Sequence, residues 1–225
     1  MSRPSSIEIS VLRWAPPVVH GVVRDLPVRW ALEEAGWAYR EHVVGAEEQR
    51  SDAYRARQPF GQVPAFQSDS IKLFESGAIV LHIAEQSPAL LPQEPAERAR
   101  AMSWIFAALN SVETPVMTLI TIDMLYQGPK GDDVQGLRGF VVDWVEARLD
   151  TLVRELDGRD YLLDRFTAAD LLMTTVLRGL RDTDLVESRP TLQAYQRRCE
   201  ARPAFQKALA DHLASFARNA PAAPK

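Results

Sequence analysis

Residues 61–66 read Gly61-Gln62-Val63-Pro64-Ala65-Phe66, and residues 74–79 read Phe74-Glu75-Ser76-Gly77-Ala78-Ile79. The first is a turn running into a short strand interrupted by proline. The second is a strand end turning into a helix whose first turn carries an acid and a hydroxyl. Pro64 cannot donate to a sheet, so it belongs at an edge or in a special turn. A cis Val63-Pro64 bond there would leave the main chain of Val63 free for a ligand's own main chain. Ser76 offers a hydroxyl and an N–H at a helix N-terminus, a cradle for a carboxylate, and Glu75 can accept from an ammonium. Together the two stretches suit a peptide-like ligand with a free amino-acid head group.

Working outward, strand and helix signals alternate. Ile7 to Leu12 alternates with period two, Pro27 to Ala35 is helical with Gly36 after it, and Tyr39 to Val44 is again extended. Ala65–Gln67 and Ile71–Phe74 are short strands separated by Ser68-Asp69-Ser70, and a helix runs from Gly77 to Glu85. The order, βαβ then αββα, fits a thioredoxin-like α/β domain over residues 1–86. Pro88, Pro92 and Pro95 break helix continuity and mark residues 87–96 as a semi-rigid linker. From 97 to 225 every strong signal is helical, an all-α bundle. Met102, Ile105, Phe106, Leu109, Val112, Val116, Leu119 and Ile120 recur at three and four around a kink at Pro115, and a second stripe runs from Val141 to Leu156 before Gly158. Thr167 and Asp170 frame a capping box opening the apolar run Leu171 to Leu177, which explains both residues without catalysis.

Composition excludes several rivals. The chain of 225 residues is 46% hydrophobic and 25% charged, which is globular rather than disordered. A net charge of -4 leaves no basic stripe for nucleic acid. There is no uninterrupted run of about 18 apolar residues and no apolar leader after Met1, so a cytoplasmic protein without membrane association is expected. The single cysteine, Cys199, rules out an internal disulfide, disfavours a cysteine-based reductase and reads as a small buried hydrophobe. His20, His42, His82 and His212 show no ligand spacing, so no metal is expected. The loop Gln127 to Asp133 lacks the pattern of a phosphate loop.

The motifs resemble the glutathione transferase family over nearly the whole chain. Ala31-Leu32-Glu33-Glu34-Ala35-Gly36 looks like the end of its first helix, and Gln58-Pro59-Phe60-Gly61-Gln62-Val63-Pro64 like its Asn-Pro-x-Gly-x-Val-Pro run, with Gln58 where Asn is usual. The resemblance implies glutathione as co-substrate, its γ-glutamyl head at Glu75 and Ser76 and its cysteinyl main chain at Val63 before Pro64, with Arg57, Arg50 or Gln62 reaching the glycyl carboxylate. It implies a homodimeric detoxification enzyme that transfers glutathione to a small hydrophobic electrophile, with Met117, Thr118 and Tyr126 facing the acceptor.

The catalytic task is to lower the pKa of a thiol whose thiolate is the nucleophile. In the family a Tyr, Ser or Cys after the first strand points at the sulfur, and Arg13 to Asp25 contains none of these. Arg24-Asp25-Leu26-Pro27 resembles the helix start of classes in which an arginine, three residues before a helical proline, lies near the sulfur, which makes Arg24 the leading candidate. A surface arginine paired with a carboxylate is the alternative. His20, as donor or base, and Trp14, as indole donor, pocket wall or core residue, are further candidates; Asp25 reads as the helix N-cap. The missing hydroxyl keeps two alternatives open: a binding or scaffold protein of the same fold, and a glutathione-dependent isomerase or dehalogenase.

Overall fold

The computed structural model describes residues 6–129 and 131–221. Four strands, β1 (Ile7–Leu12), β2 (Arg40–Val44), β3 (Ala65–Ser68) and β4 (Lys72–Phe74), form one sheet in the order β2-β1-β3-β4. β1 and β2 run parallel, whereas β3 is antiparallel to both β1 and β4. A parallel pair needs a crossover, which α1 (Asp25–Ala35) supplies, and the hairpin β3–β4 closes through the expected Ser-Asp-Ser turn. Short helices α2 (Ala46–Arg50) and α3 (Asp52–Arg55) lead to β3, and α4 (Ser76–Glu85) follows β4. This is the thioredoxin-like arrangement expected from the sequence. Ile7, Ile9 and Val11 of β1 and Leu26, Val28, Trp30, Ala31 and Leu32 of α1 form its core with Ile79, Val80 and Ile83 of α4.

Contacts divide the chain into two compact units, and the division differs from the sequence grouping of 1–86, 87–96 and 97–225. Residues up to Leu91 and from Arg202 onward form one unit, and Pro92 to Ala201 the other. The last helix, α10 (Pro203–Arg218), packs along α1. Phe205 meets Trp30 edge-on at 4.7 Å, Arg202 binds both oxygens of Glu34 at 2.6 and 2.8 Å, and Lys207 reaches Glu33 at 2.9 Å. Leu90 and Leu91, inside the proline-rich segment, are fully buried and belong to the first unit.

The second unit is helical. α5 (Pro95–Phe106) begins with Pro95 at its first position and Glu94 accepting from the N–H groups of Ala96 and Glu97. It runs through a π-helical stretch, Ala107–Val112, into α6 (Glu113–Ile120) and a second π stretch, Thr121–Leu125. Pro115 has no N–H, and the looser winding just before it relieves the bonding it would break. Between Met102 and Leu125 only Glu113 and Asp123 are charged. The stretch Pro95–Leu125 therefore contains an 18-residue window of mean hydropathy 1.5, long and apolar enough to cross a membrane by length and composition, which a search for an uninterrupted apolar run does not register. The same pattern arises in a bundle core, and here the helix packs on α7 (Asp132–Glu155) and α8 (Ala168–Leu177); α9 (Pro190–Glu200) completes the unit. The capping box at α8 is present, and Asp170 also accepts from the N–H of Leu162 at 2.9 Å and the hydroxyl of Tyr195 at 3.1 Å.

Candidate functional site

Register brings three segments to one end of the sheet. Ala65 pairs with Phe74, so the residues just beyond, Val63-Pro64 and Glu75-Ser76, leave their strands side by side. Ile9 pairs with Phe66 antiparallel, which carries the end of β1, and with it the connection from Arg13 to Arg24, to that same edge.

The Val63-Pro64 peptide is cis, as the sequence suggested. The loop holding it is braced from beneath by residues the sequence reading passed over. The N–H of Ala65 donates to Ser10 Oγ at 2.6 Å, Ser10 and Tyr54 share a hydroxyl hydrogen bond of 2.7 Å, and Tyr54 Oη donates to the carbonyl of Gln62 at 2.6 Å. Burial pushes the Tyr54 phenol up, against the hydrogen bond from Ser10 and the charge of Arg57, so it stays a donor at neutral pH. Gln58 is 2% exposed, and its side-chain oxygen accepts from the N–H groups of Phe60 and Gln62 at 2.7 and 3.2 Å. The turn closes at Gly61, whose φ of 67° and approach to the Gln49 carbonyl leave no room for a Cβ. Among the described residues the N–H and C=O of Val63 have no hydrogen-bond partner.

Glu75 is the one non-glycine residue with positive φ among those described, at φ 68° and ψ 116°. Such a conformation costs on the order of 1–3 kcal/mol and persists where surroundings over-determine it. It turns the chain sharply from β4 into α4, exposing Glu75 and leaving Ser76, 6% exposed, as the first helical residue. No side chain caps this N-terminus, so its N–H groups and the Ser76 hydroxyl remain open to an anion.

The β1–α1 connection departs further from expectation. Trp14 is 42% exposed, which removes it from the core and leaves its indole at the surface. His20 stacks on Phe216 with ring centroids 4.3 Å apart and donates from Nε2 to the carbonyl of Ala15 at 2.8 Å. Arg24 is half-buried at the boundary of α1 and has protein partners of its own. Asp25 is not a cap: it lies inside α1 with no side-chain bond to the helix N-terminus. Its Oδ2 instead accepts from Arg29 Nε at 2.6 Å and from His212 Nδ1 at 3.0 Å, all three side chains being nearly inaccessible. Burial alone would raise the Asp25 carboxyl, but the hydrogen bond from His212 and the charge of Arg29 hold it below the usual carboxylate range.

Of the sequence candidates, Val63, Pro64, Glu75 and Ser76 share the sheet end, and Gln62 lies in the loop beside them. Arg57 is committed elsewhere, to Glu8 at 2.6 Å. Thr118 turns its hydroxyl back to the Thr114 carbonyl at 2.8 Å, while Met117 and Tyr126 are about as exposed as Trp14, at 40% and 41%. No group of three or more metal-ligating side chains is assembled among the described residues.

The family described as "Glutathione S-transferase, N-terminal domain" matches residues 18–85. A maleylacetoacetate isomerase from Rhizobium meliloti is 33% identical over 194 residues, 82% of this chain and 90% of its own. A glutathione S-transferase from Silene vulgaris is 31% identical over 182 residues, 74% of this chain and 82% of its own. Among solved structures, the theta class glutathione S-transferase of Xanthomonas axonopodis pv. citri, with glutathione bound, superposes with a TM-score of 0.73 at 29% identity, covering 92% of this chain and 97% of that one.

Proposed function

We propose, from the premise that this chain belongs to the glutathione S-transferase family, that it is a glutathione transferase acting on a small hydrophobic electrophile. The observation that carries the reading is the pairing of an unsatisfied main chain at Val63 with the strained Glu75 turn into an uncapped helix. A tripeptide with a free amino-acid head fits these groups. Its γ-glutamyl carboxylate takes the Ser76 hydroxyl and the α4 N-terminus, its ammonium goes to Glu75, and its cysteinyl amide pairs with Val63. The sulfur then lies at the β1–α1 connection, beside Arg24. The guanidinium and the start of α1 supply positive potential, each unit taken off the thiol pKa favouring thiolate by about 1.4 kcal/mol. The thiol gives its proton to solvent and the thiolate attacks the electrophilic carbon. A carbon–sulfur bond forms as the leaving group departs with the bonding pair.

The test is calorimetric titration with glutathione, followed by an electrophile panel that reports loss of free thiol. Absence of glutathione binding at millimolar concentration would sink the proposal. One observation favours a second reading, the isomerase named among the relatives. A thiolate that adds to a double bond and leaves again isomerises it without consuming glutathione, so product formation with constant thiol separates the two. If glutathione binds and its thiol titrates as in free solution, a binding or scaffold role replaces both.

The same reading makes the protein a cytoplasmic homodimer engaged in detoxification. Phe106 and Phe140, 52% and 64% exposed on the helical unit, are apolar groups that a second copy would cover. Light scattering at micromolar concentration checks this, and a monomer there contradicts it.

A further inference from the structure

We propose that His212, on the last helix, is a positioning residue for the thiol-activating turn, holding it at both ends through one imidazole. The inference rests on the reading of the β1–α1 connection as the place of the glutathione sulfur. His212 is 1% exposed. Its Nε2 accepts from the N–H of Gly21 at 3.1 Å, across 191 positions of chain, and its Nδ1 faces Asp25 Oδ2 at 3.0 Å. A backbone N–H only donates, so Nε2 must be bare and Nδ1 must carry the proton, which it gives to Asp25. The ring therefore has one tautomer in which both bonds exist.

Those two bonds bracket Arg24. Gly21 enters the turn with φ at 80°, and Asp25 opens α1. An aspartate at a helix start ordinarily folds back to cap it, placing negative charge where a thiolate has to be stabilised. Here Arg29 neutralises that carboxylate while His212 fixes its direction, so the N-terminus of α1 keeps its positive potential. The arrangement is anchored further by Glu41, which binds Arg29 at 2.7 Å and accepts from Ser215 and Arg218 of α10 at 3.1 and 2.8 Å. Phe216 packs edge-on against His212 and face-on against His20, closing the same corner. The helix that ends the described chain thus builds the turn in which the leading catalytic candidate sits.

The experiment compares wild type with His212→Asn and His212→Gln in the full-length protein, following glutathione thiolate absorbance across pH, kcat, glutathione affinity and thermal unfolding. Asparagine keeps a donor for Asp25 and loses the acceptor for Gly21; glutamine places an acceptor where Nε2 stood. In His212→Asn the bound thiol's pKa is expected to rise by about one unit, with kcat falling about tenfold below that pKa and affinity changing less than about threefold. His212→Gln is expected to recover most of that loss although both variants are less stable. A lowered thiol pKa in wild type that stays unchanged in His212→Asn overturns the inference alone, as does loss of activity that tracks stability equally in both variants. A wild-type thiol that titrates like free glutathione removes the activation reading and this inference with it. Should neither variant fold, nitrogen NMR of the wild-type imidazole decides: a bare Nε2 coupled to the Gly21 amide is expected, and a protonated Nε2 overturns the assignment.

Discussion

Tyr54 donates its hydroxyl proton to the carbonyl of Gln62 at 2.6 Å, one residue before the main chain left open for a ligand. Since Tyr54 also joins Ser10, which takes the Ala65 N–H, both sides of the Val63-Pro64 turn hang on one buried relay. Tyr54→Phe leaves the Gln62 carbonyl and Ser10 short of a partner. Stability is expected to fall by about 1–3 kcal/mol, the cost of buried unsatisfied groups. Glutathione affinity should fall with it. Denaturant midpoints and calorimetry measure both, and wild-type affinity in this variant would show that the relay supports folding alone.

Glu75 carries strain that glycine would relieve. Glu75→Gly removes the Cβ at φ 68°, and the folded protein is expected to hold its stability or gain up to about 1 kcal/mol after glycine's entropy cost. Glutathione binding, losing a charged partner for the ammonium, should weaken by roughly 1–3 kcal/mol, and Ser76→Ala should do the same at the carboxylate. Opposite signs in unfolding and titration experiments are the signature. Native affinity in both variants would remove the proposed head-group site.

Two glycines differ in the same way for steric reasons. A Cβ on Gly61 would come within 2.7 Å of the Gln49 carbonyl with φ at 67°, so Gly61→Ala should destabilise by roughly 1–3 kcal/mol and loosen the Val63 turn. Gly139, inside α7, meets nothing within 4 Å, and Gly139→Ala should stabilise by about 0.5–1 kcal/mol. Thermal unfolding tests the pair. A Gly139→Ala variant that unfolds more readily and loses oligomer would place that helix face in a subunit contact.

Two buried carboxylates give opposing pH dependences. Burial works to raise Asp25, yet His212 and Arg29 lower it overall, so its contribution to stability is present above its unfolded pKa, about 3.9, and is lost as pH falls through the lower folded value. Burial raises Asp170 despite hydrogen bonds from Leu162, Thr167 and Tyr195. Between its unfolded and raised folded values the native state holds the proton more tightly, so stability declines as pH rises through that window. Asp25→Asn removes one of the two carboxylates on buried Arg29 and leaves Glu41 as the other; it is expected to cost about 1–3 kcal/mol at neutral pH and to flatten the acid limb. Asp170→Asn should remove the decline at higher pH. Denaturation midpoints across pH 2–7 (roughly the interval set by these carboxylate values) separate the two, and an unchanged acid limb in Asp25→Asn contradicts the assignment.

Local chemistry is what made much of this protein readable. Period-two strands, a proline that cannot donate, a Thr-x-x-Asp box and an acid-hydroxyl pair after a strand each specify their own backbone, and the sheet follows from their order. The Asp25 role was not readable by the same means: an aspartate just before a helical proline reads as a cap until a histidine 187 positions away and an arginine one turn on draw it inward. A signal did exist in α10, where His212 and Ser215 share a buried stripe with Phe205, Ala208 and Phe216. Polar residues on such a stripe require partners opposite, but nothing local names them. Of the three readings open for Trp14, indole donor, pocket wall or core residue, only the core position is removed, because the side chain stands exposed in a proline-containing loop.

A unit completed by the last helix of the described chain has a consequence for its birth on the ribosome. At about 5–20 residues per second, the α1 face that Phe205 covers waits on the order of ten seconds after the sheet has emerged. During that interval the nascent unit displays Trp30 and its neighbours without their lid, a surface suited to chaperone capture. A premature stop just after Ala201 would release a chain holding Val63, Glu75 and Ser76 but lacking the imidazole that sets the Gly21–Asp25 turn. Such a fragment would keep the residues proposed to grip glutathione's head group and lose the built corner for its sulfur, and quality control, rather than catalysis, would decide its fate.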